Sequence, residues 1–263
     1  MFIFLIHFLR YSVVNCLMII LKSKIFLKYP EIVFGFNTKI DMESSAPYFF
    51  NLSYSVGDIK ESVENNRRSF FSNLGLSDNT MIFQNQVHSD IISIADRAGS
   101  VGESDAIITA TRGLGLAISA ADCNAIFVYD PINCVIAGIH SGWKGTERRI
   151  ASKTIRKMTE VFNSKPKNMV AYLAPSISQA NYEVGEEVAA LFDSEFVKKE
   201  DSKFYLDLKK ANFNMLLEEG IRFENIQKSD LCTFAYSDLF HSYRRDGLHS
   251  GRSLGIIAMK GDI

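Results

Sequence analysis

From residue 80 to residue 140 the chain runs in short apolar blocks, at 80–84, 91–95, 105–109, 115–120, 125–129 and 134–140, each parted from the next by turn residues. Blocks this short, bounded by polar punctuation, predict strands and a sheet-rich middle. A further buried strand is expected at 32–36, followed by a polar loop to Ser53. Asp58-Ile59-Lys60-Glu61 has the form of a capping box, Val63, Phe70 and Leu74 follow at helical spacing, and Gly75 is placed to close the helix. Downstream the period changes: Ala151, Ile155, Met158 and Phe162 line one face of an amphipathic helix predicted over 146–162. A strand at 169–173 and a short helix at 185–192 come next. A helix at 207–219, capped by Asp207 and ended by Gly220, and a last strand at 254–259 complete the pattern. Strands gathered in the middle, with helices before and after them, predict an α+β fold with a mixed β-sheet core flanked by helices, not a regular alternation.

Composition then bounds the organisation. The 263 residues are 47% hydrophobic and show no linker or compositional break after residue 30, so one domain is expected over 29–263. Residues 1–28 read as an N-terminal extension outside the core. The apolar run Phe2-Ile3-Phe4-Leu5-Ile6 is interrupted by His7, Arg10 and Asn15 before it reaches membrane-spanning length, and its basic residues do not precede it as in a signal peptide. Met18 is an alternative start. With 29 basic and 30 acidic residues the net charge is −1, which gives no reason to expect nucleic acid or an anionic membrane as partner and directs attention to small molecules. Cys16, Cys123, Cys134 and Cys232 form no CxxC pair, in keeping with a reducing, cytoplasmic compartment.

Candidate chemistry gathers at strand ends. His140 stands where the run from Cys134 to Ile139 gives way to the glycine-broken turn Ser141-Gly142-Trp143-Lys144-Gly145; His88 and Cys123 occupy similar positions upstream. Two imidazoles and one thiolate form a set that zinc or copper accepts. Their spacing matches no zinc finger, so the fold must assemble any such site. Taken singly, each has a plainer reading, as a structural histidine or a small buried cysteine. Cys123 with His140 as base would also make a cysteine-hydrolase dyad.

From about Ile32 to Met259 the chain resembles the YfiH-type family, once called multicopper polyphenol oxidases or laccase-domain proteins and later described as purine nucleoside phosphorylases with adenosine deaminase activity. The matching segments include Gln86-Val87-His88, Ser104-Asp105-Ala106, Ala121-Asp122-Cys123, His140-Ser141-Gly142-Trp143-Lys144-Gly145, Tyr182-Glu183-Val184-Gly185 and Ser242-Tyr243-Arg244-Arg245-Asp246-Gly247. The resemblance implies a metal held by His88, Cys123 and His140. It also implies purine nucleosides and phosphate as substrates: adenosine and inosine, with S-methyl-5'-thioadenosine as a further candidate. Three departures stand out: Lys144 where the family usually has Arg, Ala120-Ala121 before Asp122, and Ala174-Pro175 in place of Gly-Pro. Lys144 keeps the charge but loses the bidentate fork.

Each implied reaction asks for different groups. Zinc on three protein ligands keeps a position open for water, which suits hydrolytic deamination. That reaction needs a proton carrier, for which Asp122, Asp105 and His249 are candidates, although Asp122 has a structural reading as a turn cap or an orienter of a ligand imidazole. Phosphorolysis asks for an anion site, and Arg244 and Lys144 are the expected donors, with Trp143 placed to stack on a base. Catalytic roles are therefore expected for Cys123, Asp122 and Arg244. A trinuclear copper centre would need more imidazoles than the chain's five histidines, His7, His88, His140, His241 and His249, can supply beside the implied ligand set.

Overall fold

Every residue of two central strands is buried, which a strand achieves only when both faces of its sheet are covered. The computed structural model describes residues 18–41 and 44–261. In chain order its strands are β1 (Ile20–Leu21), β2 (Ile32–Asn37), β3 (Met81–Asn85), β4 (Ile92–Ile94), β5 (Gly99–Glu103), β6 (Ala106–Thr109), β7 (Gly115–Ala120), β8 (Asn124–Asp130), β9 (Val135–Ser141), β10 (Val170–Leu173), β11 (Glu183–Val184), β12 (Val197–Glu200), β13 (Lys203–Leu206), β14 (Ile226–Lys228) and β15 (Ser253–Met259). Helices α1 (Lys60–Asn73), α2 (Trp143–Glu147), α3 (Ile150–Phe162), α4 (Glu186–Ala189), α5 (Leu208–Glu218) and α6 (Tyr243–Asp246) intervene.

Two six-stranded sheets, ordered β1-β2-β15-β7-β3-β5 and β14-β10-β8-β9-β6-β4, mix parallel and antiparallel pairs; β11-β13-β12 form a small third sheet. Phe34, Phe36, Ile118 and Ile257 of the first sheet meet Ile107, Phe127, Tyr129 and Tyr172 of the second in one core. The outer face of the second sheet packs on α3 and α5 through Ile150, Ile155, Met158 and Leu216, and that of the first on α1 through Phe70, Phe71 and Leu74. The expected α+β architecture is thus a helix-sheet-sheet-helix stack, and its buried strands read as unbroken apolar runs for that reason.

The structure corrects several expectations. Residues 18–28 belong to the fold: β1 pairs with β2, Ile25 and Phe26 join the central core, and Ser23 and the Ile25 amide both bond the Gln227 side chain. The extension expected over 1–28 therefore does not include 18–28, because a two-residue edge strand becomes visible only with its partner; residues 1–17 lie outside the described residues. Asp58 caps no helix, since its carboxylate accepts from the Ile59 amide and from Asn51 while Ile59 takes the cap position. The helix expected over 146–162 is two, broken at Arg149, whose left-handed backbone (φ 61°) turns Ile150 and Ala151 onto the sheet. The helix expected at 185–192 is only α4. Strands β5, β12 and β14 were hidden by polar sequences, GSVGE, VKKE and IQK, on exposed edges. Asp207 caps α5 as expected, accepting from the Lys210 amide at 2.9 Å.

One buried histidine sets a pH dependence. His241 packs its Nε2 against the Phe50 carbonyl at 3.4 Å, and burial, reinforced by Lys39 and Arg252, pushes its pKa down to about 3. An unfolded imidazole protonates near pH 6.5, so below that pH the unfolded chain binds the extra proton. Stability should therefore fall as pH drops from 6.5 towards 3, by about 1.4 kcal/mol per unit from this group. Urea unfolding of the protein and of His241→Asn across that range should show a shallower acid slope in the variant.

Candidate metal centre

The register of the second sheet brings the expected residues to one end of the sandwich. Ala125 pairs with His140 across β8 and β9, which sets Cys123, just ahead of β8, beside His140. Ala106 pairs with Ile139, so Asp105, just ahead of β6, faces the same corner, and its carbonyl accepts from the His140 amide at 2.7 Å. His88 arrives from the first sheet on the segment leaving β3. Gln86 ties that segment to β7 by bonding both backbone groups of Ser119 at 2.8 Å, in the manner of a strand pair.

The ligand-type atoms of His88, Cys123 and His140 all lie within 4.8 Å of one another, with Cys123 Sγ 3.9 Å from His88 Nε2. The two imidazoles meet edge to face, their centroids 4.9 Å apart. Tetrahedral zinc with ordinary bond lengths needs its donors roughly 3.3–3.8 Å apart, so a small closure of this cup fits the ion.

Asp105 is the hub. Its buried carboxylate accepts from the amides of Val87 (3.3 Å), His88 (3.1 Å) and Ser89 (2.6 Å), from Ser89 Oγ (2.7 Å), and from His140 Nδ1 (2.8 Å). Burial alone would raise its pKa, but the hydrogen bonds from His140 and Ser89 outweigh burial and hold it to about 2. An ionised Asp105 keeps the proton on His140 Nδ1 and leaves Nε2 for the cup, the arrangement that orients a metal-binding imidazole. It also stabilises the left-handed backbone of His88 (φ 58°). Burial opposes ionisation of both Cys123 and His140, yet each favours the charged form of the other: the thiol is lowered and the imidazole raised.

Gly142 makes the convergence possible. A Cβ there would stand 2.9 Å from Cys123 Sγ and 3.1 Å from His88 Cδ2. Gly142→Ala should spread the cup and weaken metal binding by roughly 10–100-fold, the scale of an outer-shell loss. Competition with a chromophoric chelator measures it.

The remaining expected residues are placed differently. Asp122, held in a left-handed conformation (φ 89°), gives its carboxylate to Thr233 Oγ1 (2.7 Å), Ser242 Oγ (3.0 Å) and the Arg244 amide (2.7 Å), so it pins α6 to the Cys123 turn and contacts no imidazole. The orienting role considered for Asp122 falls to Asp105. The Arg244 guanidinium is exposed, stacked over Tyr182 at 5.0 Å and bonded to the Glu183 carbonyl. Arg245 is spent on the carbonyls of Thr233, Phe234 and Phe240 and on Asp246. Trp143 packs into a small side core with Phe196, Leu206 and Leu208, and Lys144 is exposed with its amine 5.6 Å from the Trp143 ring. Neither Trp143, Lys144 nor the exposed His249 lines the cavity at the cup.

That cavity, about 510 Å³, is lined by the three cup residues together with Ser53, Gln84, Tyr243 and Arg252 among others. Arg252 was not singled out from the sequence. Its guanidinium bonds the Ser250 and Gly251 carbonyls and stacks 5.3 Å from the Tyr243 ring; burial lowers its pKa, while Cys123 and Asp122 favour its charge. The available signal was a lone cation just before the apolar run 254–259, at the same kind of strand end that marks the cup.

A family model described as Multi-copper polyphenol oxidoreductase laccase matches residues 33–260. A protein of Corynebacterium glutamicum named purine nucleoside phosphorylase is 34% identical over 231 residues, covering 84% of this chain and 92% of the relative. The purine nucleoside phosphorylase YlmD of Bacillus subtilis is 31% identical over 248 residues, covering 88% and 89%. Among solved structures, YlmD from Geobacillus stearothermophilus superposes with a TM-score of 0.87 at 27% identity, covering 95% of this chain and 98% of that one. The YfiH protein of Bacillus licheniformis does so with 0.85 at 28%, covering 92% and 96%.

Proposed function

The chain belongs to the Multi-copper polyphenol oxidoreductase laccase family, and on that premise we propose that it is a zinc-dependent purine nucleoside phosphorylase acting on adenosine, inosine and S-methyl-5'-thioadenosine, with adenosine deamination as a second activity. The observation that carries the reading is the meeting of His88, Cys123 and His140 at the wall of a nucleoside-sized cavity, with Asp105 on the far nitrogen of His140. Two imidazoles and a thiolate would hold the ion, and zinc bound by three protein ligands supplies a Lewis acid that activates water near neutral pH.

The chain's own groups divide the remaining work. Arg252, inside the cavity, offers positive charge to the phosphate that enters as the glycosidic bond loosens; Arg244 does not line the cavity, and it adds charge from the segment that Asp122 ties beside Cys123. Asp122 acts as a positioning residue for the segment carrying Arg244. Trp143, next to Gly142 in the chain, packs into the side core away from the cavity lining. Among the described residues no helix is long and apolar enough to cross a membrane. The free thiols of Cys123, Cys134 and Cys232 fit a reducing cytoplasm.

Incubation of metal-analysed protein with adenosine and phosphate tests the reading. Adenine with ribose 1-phosphate is the expected product pair, and inosine marks the deaminase activity. Neither product from fully zinc-loaded protein, or oxidation of a phenol by the copper-loaded form alone, would overturn it.

A further inference from the structure

Gln84 lines the same cavity, yet both ends of its carboxamide are buried and neither Oε1 nor Nε2 has a hydrogen-bond partner among the described residues. Of the other polar side chains in the lining, Gln86 is committed to Ser119 and Ser53 to Ser55. A buried donor and acceptor left without partners are destabilising, so an apolar residue of the same size would be more stable at this place in β3. Such an exception points to a ligand that supplies the missing partners.

We propose that Gln84 is the specificity-determining residue of the cavity and reads the 6-position edge of the purine through a paired donor and acceptor. The inference rests on the nucleoside reading given above. Adenine presents an N6–H donor beside the N1 acceptor, and these complement Oε1 and Nε2. Hypoxanthine presents O6 and N1–H, the same pair reversed, and a half-turn of the terminal torsion lets the carboxamide meet it. No hydrogen bond holds the amide in either orientation, so turning it or swinging it into the cavity breaks none. Gln84 therefore accounts for acceptance of both 6-amino and 6-oxo purines in one site. A ring with hydrogen at C6 can satisfy only half of the pair.

The test compares kcat/KM for base release from adenosine, inosine and purine riboside, with inorganic phosphate, in the zinc-loaded protein and in Gln84→Leu and Gln84→Met. The parent protein should prefer adenosine and inosine over purine riboside by roughly ten-fold or more, the scale of discrimination by one good paired contact. In both variants that preference should fall to near parity, with zinc content retained and Tm unchanged or raised because an orphaned amide has been removed. Gln84→Met, close in shape, carries the test if Gln84→Leu does not fold. An undiminished preference in a folded, zinc-replete variant, or a lowered Tm with the preference intact, would overturn the inference and leave the nucleoside reading standing. Cleavage of none of the three nucleosides by the zinc-loaded parent would remove both together.

Discussion

His88→Asn should lose bound zinc and nucleoside cleavage together while remaining folded. His88 is exposed and its backbone is left-handed (φ 58°), a conformation asparagine tolerates, so the substitution removes the ring without straining the turn. The loss of metal affinity should exceed the roughly 10–100-fold that follows removal of an outer-shell partner, because a ligand itself is lost. Metal analysis after dialysis, alongside kcat/KM, gives both readouts. The same variant separates the metal reading from a thiolate-imidazole dyad. Cys123 and His140 alone, with the thiol lowered and the imidazole raised, have the parts of a nucleophile and its base. A dyad survives the loss of His88, so activity persisting in metal-free His88→Asn would reject the metal centre.

Asp105→Asn should be the most damaging single change away from the ligands. Each carboxylate oxygen accepts from donors: His88 N and His140 Nδ1 on one, Val87 N, Ser89 N and Ser89 Oγ on the other. An amide group must turn its NH2 towards one of these sets. Facing Ser89, it opposes donors with a donor; facing His140, it forces the proton onto Nε2 and takes the lone pair from the cup. A stability loss of roughly 3–5 kcal/mol is expected, as for a buried pair deprived of one member, together with weakened zinc binding. The acid limb provides a further check. Because Asp105 is held to about 2 in the fold, against about 3.9 when unfolded, its contribution is complete above the unfolded value and is lost as pH falls through 4 to 2. That amounts to about 2.6 kcal/mol, which the variant should lack. Denaturant unfolding at neutral pH and near pH 3 measures both; equal stability of variant and parent at neutral pH would remove Asp105 from its place as hub.

Much of the architecture is written in local pattern. The apolar runs became β2, β3, β6 to β10 and β15 because a strand covered on both faces needs no polar alternation, and Asp207 and Gly220 bound α5 as their chemistry demands. The cup residues, too, were visible as chemistry-bearing side chains at strand ends. Edge strands such as VKKE escaped notice because their stabilisation comes from a partner strand, and residues 18–28 escaped for the same reason.

What the amino-acid order determined by itself was therefore the class of fold and the kinds of group available: two imidazoles, a thiol, and cations near turns. Only the tertiary structure decided which of them meet. Strand register put Asp105, rather than Asp122, against His140, and Arg252, rather than Lys144, in the cavity wall; the absence of a side chain at Gly142 let three distant elements close on one point. The physical reason is that propensity and periodicity act over a few neighbouring residues, whereas a site's geometry is set by pairing and packing between segments that local sequence cannot relate.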